Sequence, residues 1–426
     1  MRIVLINSAD SGGGAARAAM RLHLALLSIG VDSTFLVSVK SSNEPSMAAR
    51  GDVIGKGLGL VRPFIDRLPL FLYPQRQRLP FSCGWLPARD MVKTIRRLAP
   101  DIVHVHWIGG GTLSIGDLKK ISAPIVWSLH DMAPFTGGCH YAGECERFTN
   151  SCGACPQLGS RLSIDMSSVA LRRKIRSYTN LDIQVVGLSR WLASEASRSA
   201  VFKNCNVQNL PNPIDTDKFA PLGKNFCREM LGLPKNKKII LFGAMSATHD
   251  LRKGWLQMRE TVGKLKEPSL HFVVFGSGKP TDDLGPDLTN RVTFLGQLHD
   301  DISLRIAYSA ANVFVLPSLQ ENLANTAMEA LACGTPVAAF NIGGNQDLVQ
   351  HKETGYLARP YDTDDLADGI KYLCIASEAE RIQKNTTAFV AENFSFAVVA
   401  EKYKALYAEV LMRDKKRKKS LRHRLS

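Results

Sequence analysis

The chain has 426 residues, 45% hydrophobic and 22% charged, an ordinary globular balance that excludes a disordered, collagen-like or disulfide-scaffold protein. Its length allows two or three domains, each large enough for its own core. The net charge is +15, and no uncharged apolar run reaches the roughly 18 residues of a membrane-spanning helix.

The first apolar run, Ile3–Ile6, is too short for a signal-peptide core and reads as a first strand, so a cytoplasmic location is expected. Ser11-Gly-Gly-Gly-Ala-Ala16 follows it. Glycines between a strand and a helix let backbone N–H groups approach an anion, and a tight turn explains them equally well. The spacing is not that of a dinucleotide fingerprint. Further strand-like runs are Thr34–Val39, Ile102–Val105, Ile125–Leu129 and Ile183–Leu188. Between them, residues 56–81 break the pattern. Apolar and aromatic residues alternate there with Arg62, Arg67, Arg76 and Arg78, and Pro63, Pro69 and Pro74 preclude one long helix. That is the composition of an interfacial membrane segment, or of a loop covering its own domain. His104 and His106 read as strand residues. His130, at the carboxyl end of a parallel strand, lies where open α/β sheets bind ligands.

Nine cysteines, an odd count, fit a reducing compartment. Cys139, Cys145, Cys152 and Cys155 are spaced C-x5-C-x6-C-x2-C, which suits a structural zinc with His140 as a spare ligand, or four reduced thiols in a loop. Two prolines and two asparagines within 207–219 mark a domain boundary, placed at 210/211. A second set of runs follows: Ile239–Phe242, Phe272–Phe275, Val292–Leu295, Val313–Leu316 and Val337–Phe340. Ten short apolar strands alternating with helical segments predict two parallel sheets of about five or six strands.

After Val313–Leu316 comes Pro-Ser-Leu-Gln-Glu321, then a predicted helix from about Asn322 to Cys333, with Glu329 inside it and Gly334 at its end. Carboxylates eight positions apart, one at the helix mouth and one two turns lower, can accept hydrogen bonds from sugar hydroxyls. The first-turn N–H groups can hold a phosphate. The last periodic segment, 397–412, is expected to be helical. Residues 413–426 hold eight Lys/Arg against Asp414 and read as an electrostatic arm for phosphates or as a solvated terminus.

The Glu321–Glu329 segment resembles the E-x7-E motif of the retaining GT-B glycosyltransferases of family 4. The glycine-rich first loop, Leu129-His130-Asp131, Asn212-Pro-Ile-Asp215, Arg252-Lys253-Gly254, Gly276-Ser-Gly278 and Gly343-Gly344 agree in order. Thr136-Gly-Gly-Cys-His-Tyr resembles a bacterial exopolysaccharide, capsule and colanic-acid-type subgroup. The resemblance implies a GT-B fold of class α/β, with two Rossmann-like parallel-sheet domains facing an interdomain cleft. The acceptor domain would be 1–210 and the nucleotide-sugar domain 211–396, with 397–412 crossing back to the first and 413–426 a basic tail. It implies Glu329 on the nucleotide ribose, Glu321 on the donor sugar, and Lys253 on the donor diphosphate. Arg252 and Asn325 would also bind donor. Gly13 and Gly14 would lie against phosphate or acceptor, and His130 near the reacting sugar. The arginine that family members usually place upstream of this lysine is missing from 243–250.

The function so implied is sugar transfer from a nucleotide-sugar donor to a lipid-linked or oligosaccharide acceptor of a surface polysaccharide. No cofactor is required for catalysis, and the protein would sit peripherally on the anionic inner face of the cell membrane. Two rivals stand beside it: a nucleotide-sugar epimerase of the same fold, and a basic nucleic-acid-binding protein, for which no recognised motif is present.

Overall fold

A computed structural model describes residues 1–41, 44–50, 53–179, 181–243, 250–276, 291–374 and 376–425. The chain divides into two compact units, 1–213 with 399–426, and 214–398.

The first unit is built on a seven-stranded sheet: β1 (Arg2–Ala9), β2 (Asp32–Val39), β3 (Met47–Ala49), β4 (Ile102–Val105), β5 (Ile125–Leu129), β6 (Ile183–Gly187) and β7 (Asn206–Asn209). Their order is β3-β2-β1-β4-β5-β6-β7, and every pairing is parallel. Ile3, Val4, Leu5 and Ile6 are fully buried because helices cover both faces of such a sheet. This is why the central strands read as unbroken apolar runs.

The second unit has six parallel strands: β8 (Lys238–Gly243), β9 (Leu270–Phe275), β10 (Val292–Gly296), β11 (Val313–Leu316), β12 (Val337–Phe340) and β13 (Gly355–Ala358). Their order is β10-β9-β8-β11-β12-β13. All ten predicted runs are strands. The three the sequence did not disclose, β3, β7 and β13, are the outermost strands of their sheets. They are only three or four residues long, and β7 (Asn-Val-Gln-Asn) has no fully buried residue. In both sheets the order reverses direction at the centre, between β1 and β4 and between β8 and β11. Ligands of open α/β sheets bind outside the carboxyl ends of strands at such points.

The segment 56–81 contains more helix than its prolines suggested. A helix spans Val53–Asp66 with Pro63 inside it, and a 3-10 turn spans Leu68–Leu72.

The last helix runs Phe396–Leu425. Val399, Tyr403, Tyr407 and Val410 form a buried stripe at helical spacing. The Tyr407 hydroxyl meets His104 Nδ1 at 2.6 Å, and Tyr403 meets Ser128 at 3.1 Å. The basic stretch is therefore helical as far as residue 425, with residues 415–420 exposed along it. It continues this helix, buries Asp414 against Lys418 (2.6 Å), and brings Arg413 and Arg417 to 3.9 Å from Asp182. Among the described residues no helix is long and apolar enough to cross a membrane.

Candidate functional site

In the first unit the candidates follow β1, β4 and β5. Asp10 accepts from the Ser41 N–H (2.9 Å) and hydroxyl (2.6 Å), which fixes the start of the glycine loop. Gly12 has φ +80°, open to glycine at little cost. Gly13 is extended and caps the Gly14–Ser28 helix with no side chain to accept its first-turn N–H groups. A Cβ placed on Gly13 would meet nothing within 4 Å. The protein itself therefore does not demand a glycine there.

His130 follows β5, and its Nε2 lies 2.9 Å from His106 Nδ1. His106 stacks near His104, with ring centroids 4.4 Å apart. Burial lowers His130 to about 4 and His104 to about 3, and holds His106 well below the ordinary value. All three are neutral at physiological pH, so each ring offers one donor and one acceptor nitrogen. Asp131 accepts from Trp107 Nε1 (3.0 Å), the Ala133 N–H (2.8 Å) and His140 Nδ1 (2.9 Å). Burial pushes its carboxyl upward, but His140 and these donors outweigh burial and hold it below the usual range. His106, first read as a strand residue, thus pairs with His130, while both ring nitrogens of His104 are taken up by Tyr407 and Ser128.

The four cysteines line one small cavity of about 20 Å³ with Phe81 and Phe148. They do not close into the expected zinc set. Among the described residues no group of three or more His, Cys, Asp or Glu could hold a metal ion. Two of them are anchored through the backbone: Cys139 forms a β-bridge with Phe81, and the Cys155 N–H donates to Asp165 at 2.9 Å. Burial raises Cys139 to about 12 and Cys152 to about 11, so both stay protonated. His140 is no spare ligand, because its other nitrogen lies 2.9 Å from the Ser82 hydroxyl.

In the second unit the helix after β11 spans Asn325–Ala332, three residues later than expected at its start. Glu321 therefore lies in the loop before the helix. Lys253 donates to Glu321 Oε2 at 2.8 Å, and Ser318 donates to the same oxygen at 3.2 Å. Lys253 is set by a short 3-10 turn, Leu251–Lys253, closed by Gly254 at φ +73°. A Cβ on Gly254 would fall 1.8 Å from the Pro317 carbonyl oxygen. Only glycine lets this turn lie against the β11 loop, where the Leu319 N–H donates to Arg252 O at 2.8 Å. A Cβ on Gly343, at φ +48°, would likewise fall 2.2 Å from the Glu321 carbonyl oxygen.

Arg252 does not join Lys253 on Glu321, because Asp250 binds its guanidinium through two bonds (2.6 and 3.2 Å). The stretch 244–249, which would hold the upstream cation of the resemblance, lies outside the described residues, as does Gly278. Glu329 is 1% exposed and accepts from the Tyr308 hydroxyl at 2.8 Å. Sequence reading missed Tyr308, since it comes from the preceding helix and no local pattern links the two. Asn325, half-buried, opens the helix, whose cap Ala324 has no side-chain acceptor for the first-turn N–H groups. A carboxylate-held ammonium, a deeper carboxylate and uncapped N–H groups are the parts needed to bind a phosphorylated, hydroxyl-rich ligand.

Comparison with known proteins agrees with this architecture. Residues 12–218 match the family described as Glycosyltransferase Family 4, and residues 236–375 match Glycosyl transferases group 1. The D-inositol 3-phosphate glycosyltransferase of Mycolicibacterium paratuberculosis is 31% identical over 209 residues, 46% of each chain. The sulfoquinovosyl transferase SQD2 of Arabidopsis thaliana is 26% identical over 324 residues, 73% of this chain and 57% of that one. The chain thus spans about half the length of these curated relatives. Among solved structures, sucrose-phosphate synthase from Thermosynechococcus elongatus superposes with TM-score 0.68 at 22% identity, covering 96% of this chain and 99% of that one. Anabaena HepE in complex with UDP and glucose gives 0.66 at 16%, with 96% and 100% covered. These likenesses establish the GT-B fold, two Rossmann-like parallel-sheet domains.

Proposed function

We infer that the chain, a glycosyltransferase by family in both halves and GT-B in fold, moves a sugar from a nucleotide-sugar donor to an acceptor with retention at the anomeric carbon. The observation that carries this reading is the Lys253–Glu321 ion pair, with Glu329 eight positions on and buried. On donor binding, the Lys253 ammonium shifts its partnership from Glu321 to the diphosphate. There it stabilises the negative charge that grows as the bond to the sugar breaks. Glu321, released, accepts from donor-sugar hydroxyls. Glu329 accepts from the ribose while Tyr308 keeps its carboxylate oriented. Asn325 and the uncapped N–H groups beside it contribute to phosphate binding, whereas Arg252 acts through the turn it builds. His130, neutral, exchanges a single hydrogen bond with the reacting sugar, and Gly13 and Gly14 admit the ligand to the backbone.

The acceptor in this reading is a lipid-linked saccharide of a bacterial surface polysaccharide, and the protein works at the inner membrane surface. Support comes from the exposed apolar residues of 60–72 and the basic last helix. Thermal-shift measurements with UDP, GDP and ADP and their sugars test the donor half, since binding to the folded state alone raises the melting temperature. One nucleotide should do so, and the matching sugar should be transferred to a polyprenyl-linked saccharide with its configuration kept. If no nucleotide shifts the melt, the donor assignment fails. A donor turned over to an epimer without acceptor would favour the epimerase.

A further inference from the structure

The first unit holds a cavity of about 510 Å³ that none of these assignments uses. Its floor includes Ser8 and Ser38, at the carboxyl ends of β1 and β2, and its rim includes Arg67, Arg76 and Arg78. None of the three arginines makes an ion pair with a carboxylate among the described residues. Arg62, by contrast, is structural, donating to the carbonyls of Gly111 (2.7 Å) and Leu86 (3.1 Å). One carboxylate, Asp66, also lines the cavity, so three guanidiniums face a single acid. Two buried polar atoms of its lining lack a partner: the Ser38 hydroxyl, in a residue 5% exposed, and Asp66 Oδ1, in one 2% exposed. Unpartnered buried polar atoms are rare, and these two sit in the wall behind the arginine rim.

The segment that supplies Arg67 to this cavity carries a second feature on its other side. Phe64, Leu68, Phe71 and Leu72 are 71%, 53%, 79% and 79% exposed, and Leu60 extends the row at 62%. Pro63, Asp66, Arg67 and Leu70 line the cavity, while Phe64 and Leu68 between them stand in solvent. A contiguous apolar row on a soluble surface marks an interaction site. An apolar row beside an arginine-rimmed cavity fits a ligand with a phosphate at the end of a hydrocarbon chain.

We propose that this cavity seats the phosphate or diphosphate of a lipid-borne acceptor, gripped by Arg67, Arg76 and Arg78, while the row from Leu60 to Leu72 rests in the membrane surface. The proposal rests on the transferase reading above and names its acceptor site. The full chain is tested in three arms. Co-sedimentation uses phosphatidylcholine vesicles containing either a long-chain polyprenyl phosphate or phosphatidylglycerol at matched charge. Inorganic diphosphate is added as a soluble competitor. Nucleotide thermal shifts are measured alongside. The wild type should bind the polyprenyl phosphate vesicles at least tenfold more tightly than the phosphatidylglycerol ones, and diphosphate should displace it. Arg76→Ala and Arg78→Ala should each weaken that binding about tenfold and leave the nucleotide shift unchanged. Phe64→Ser with Phe71→Ser should abolish vesicle binding yet keep binding of inorganic diphosphate. Arginine variants that bind like the wild type, or equal binding to both vesicle types without competition, overturn the proposal. Loss of the nucleotide shift alone, with vesicle binding intact, counts against the transferase reading and not against this site.

Discussion

Lys253→Ala removes the ammonium that lies 2.8 Å from Glu321 Oε2. Glu321 is 7% exposed, and Ser318 at 3.2 Å would be left as its donor. Stripping one partner from a fully buried ion pair costs about 3–5 kcal/mol, because the other charge stays buried and uncompensated. The Lys253 side chain keeps 23% of its surface in water, so screening reduces the expected loss to about 1–3 kcal/mol. Glu321→Gln removes the stranded charge while keeping a hydrogen-bonding side chain. In that background Lys253→Ala should cost under about 0.5 kcal/mol, and the difference is the coupling energy. Urea unfolding of the full chain measures all four corners of the cycle. Turnover should fall about 10²–10³-fold in Lys253→Ala, as for loss of one charge-stabilising donor, and recover partly in Lys253→Arg. Strictly additive stability losses would refute the ion pair itself. Unchanged turnover with the coupling intact would refute only its place in the reaction.

Gly254→Ala should destabilise by more than about 2 kcal/mol, since its Cβ would fall 1.8 Å from the Pro317 carbonyl at a left-handed φ; a melt within a degree of wild type would contradict the turn geometry. Gly13→Ala should leave stability unchanged or raise it by up to about 1 kcal/mol, because nothing lies within 4 Å of the added methyl, yet slow turnover by crowding the ligand. The pH dependence follows from the buried histidines. His104 ionises at about 3 when folded and near 6.5 when unfolded, so the unfolded chain binds more protons between those values. Stability should be complete above about pH 6.5 and fall as pH drops below it, by up to about 1.4 kcal/mol per pH unit for each such histidine. His104→Asn should flatten that slope in unfolding measurements between pH 4.5 and 6.5. Finally, in the metal-free native chain Cys139 and Cys152 should react slowly with a thiol reagent at pH 8 and quickly once unfolded; fast native reaction would contradict their burial.

Several of these features were legible in the chain itself. Strands such as Ile3–Ile6 and Val313–Leu316 are buried on both faces, so each is written as an unbroken apolar run that needs no partner to be recognised. The strands β3, β7 and β13 were not, because each is only three or four residues long and partly faces solvent, so its composition merges with that of loops. The E-x7-E spacing and its flanking strand and glycine are local, and so the sequence alone placed two carboxylates after β11. Which groups meet those carboxylates was not local. Lys253 reaches Glu321 across 68 residues, and Tyr308 reaches Glu329 from the neighbouring helix across 21. The basic run at 413–426 reads as free charge until Asp182 is brought beside it by β6. The cysteine spacing suggested a metal; the four cysteines do line one small cavity, but no group of three or more ligands that could hold a metal ion forms among the described residues. Hydrophobic period and turn chemistry act over a few residues and are therefore written in sequence order. Ion pairs, cavities and ligand sets depend on which strand ends the sheet order places side by side, and only the tertiary structure decides that.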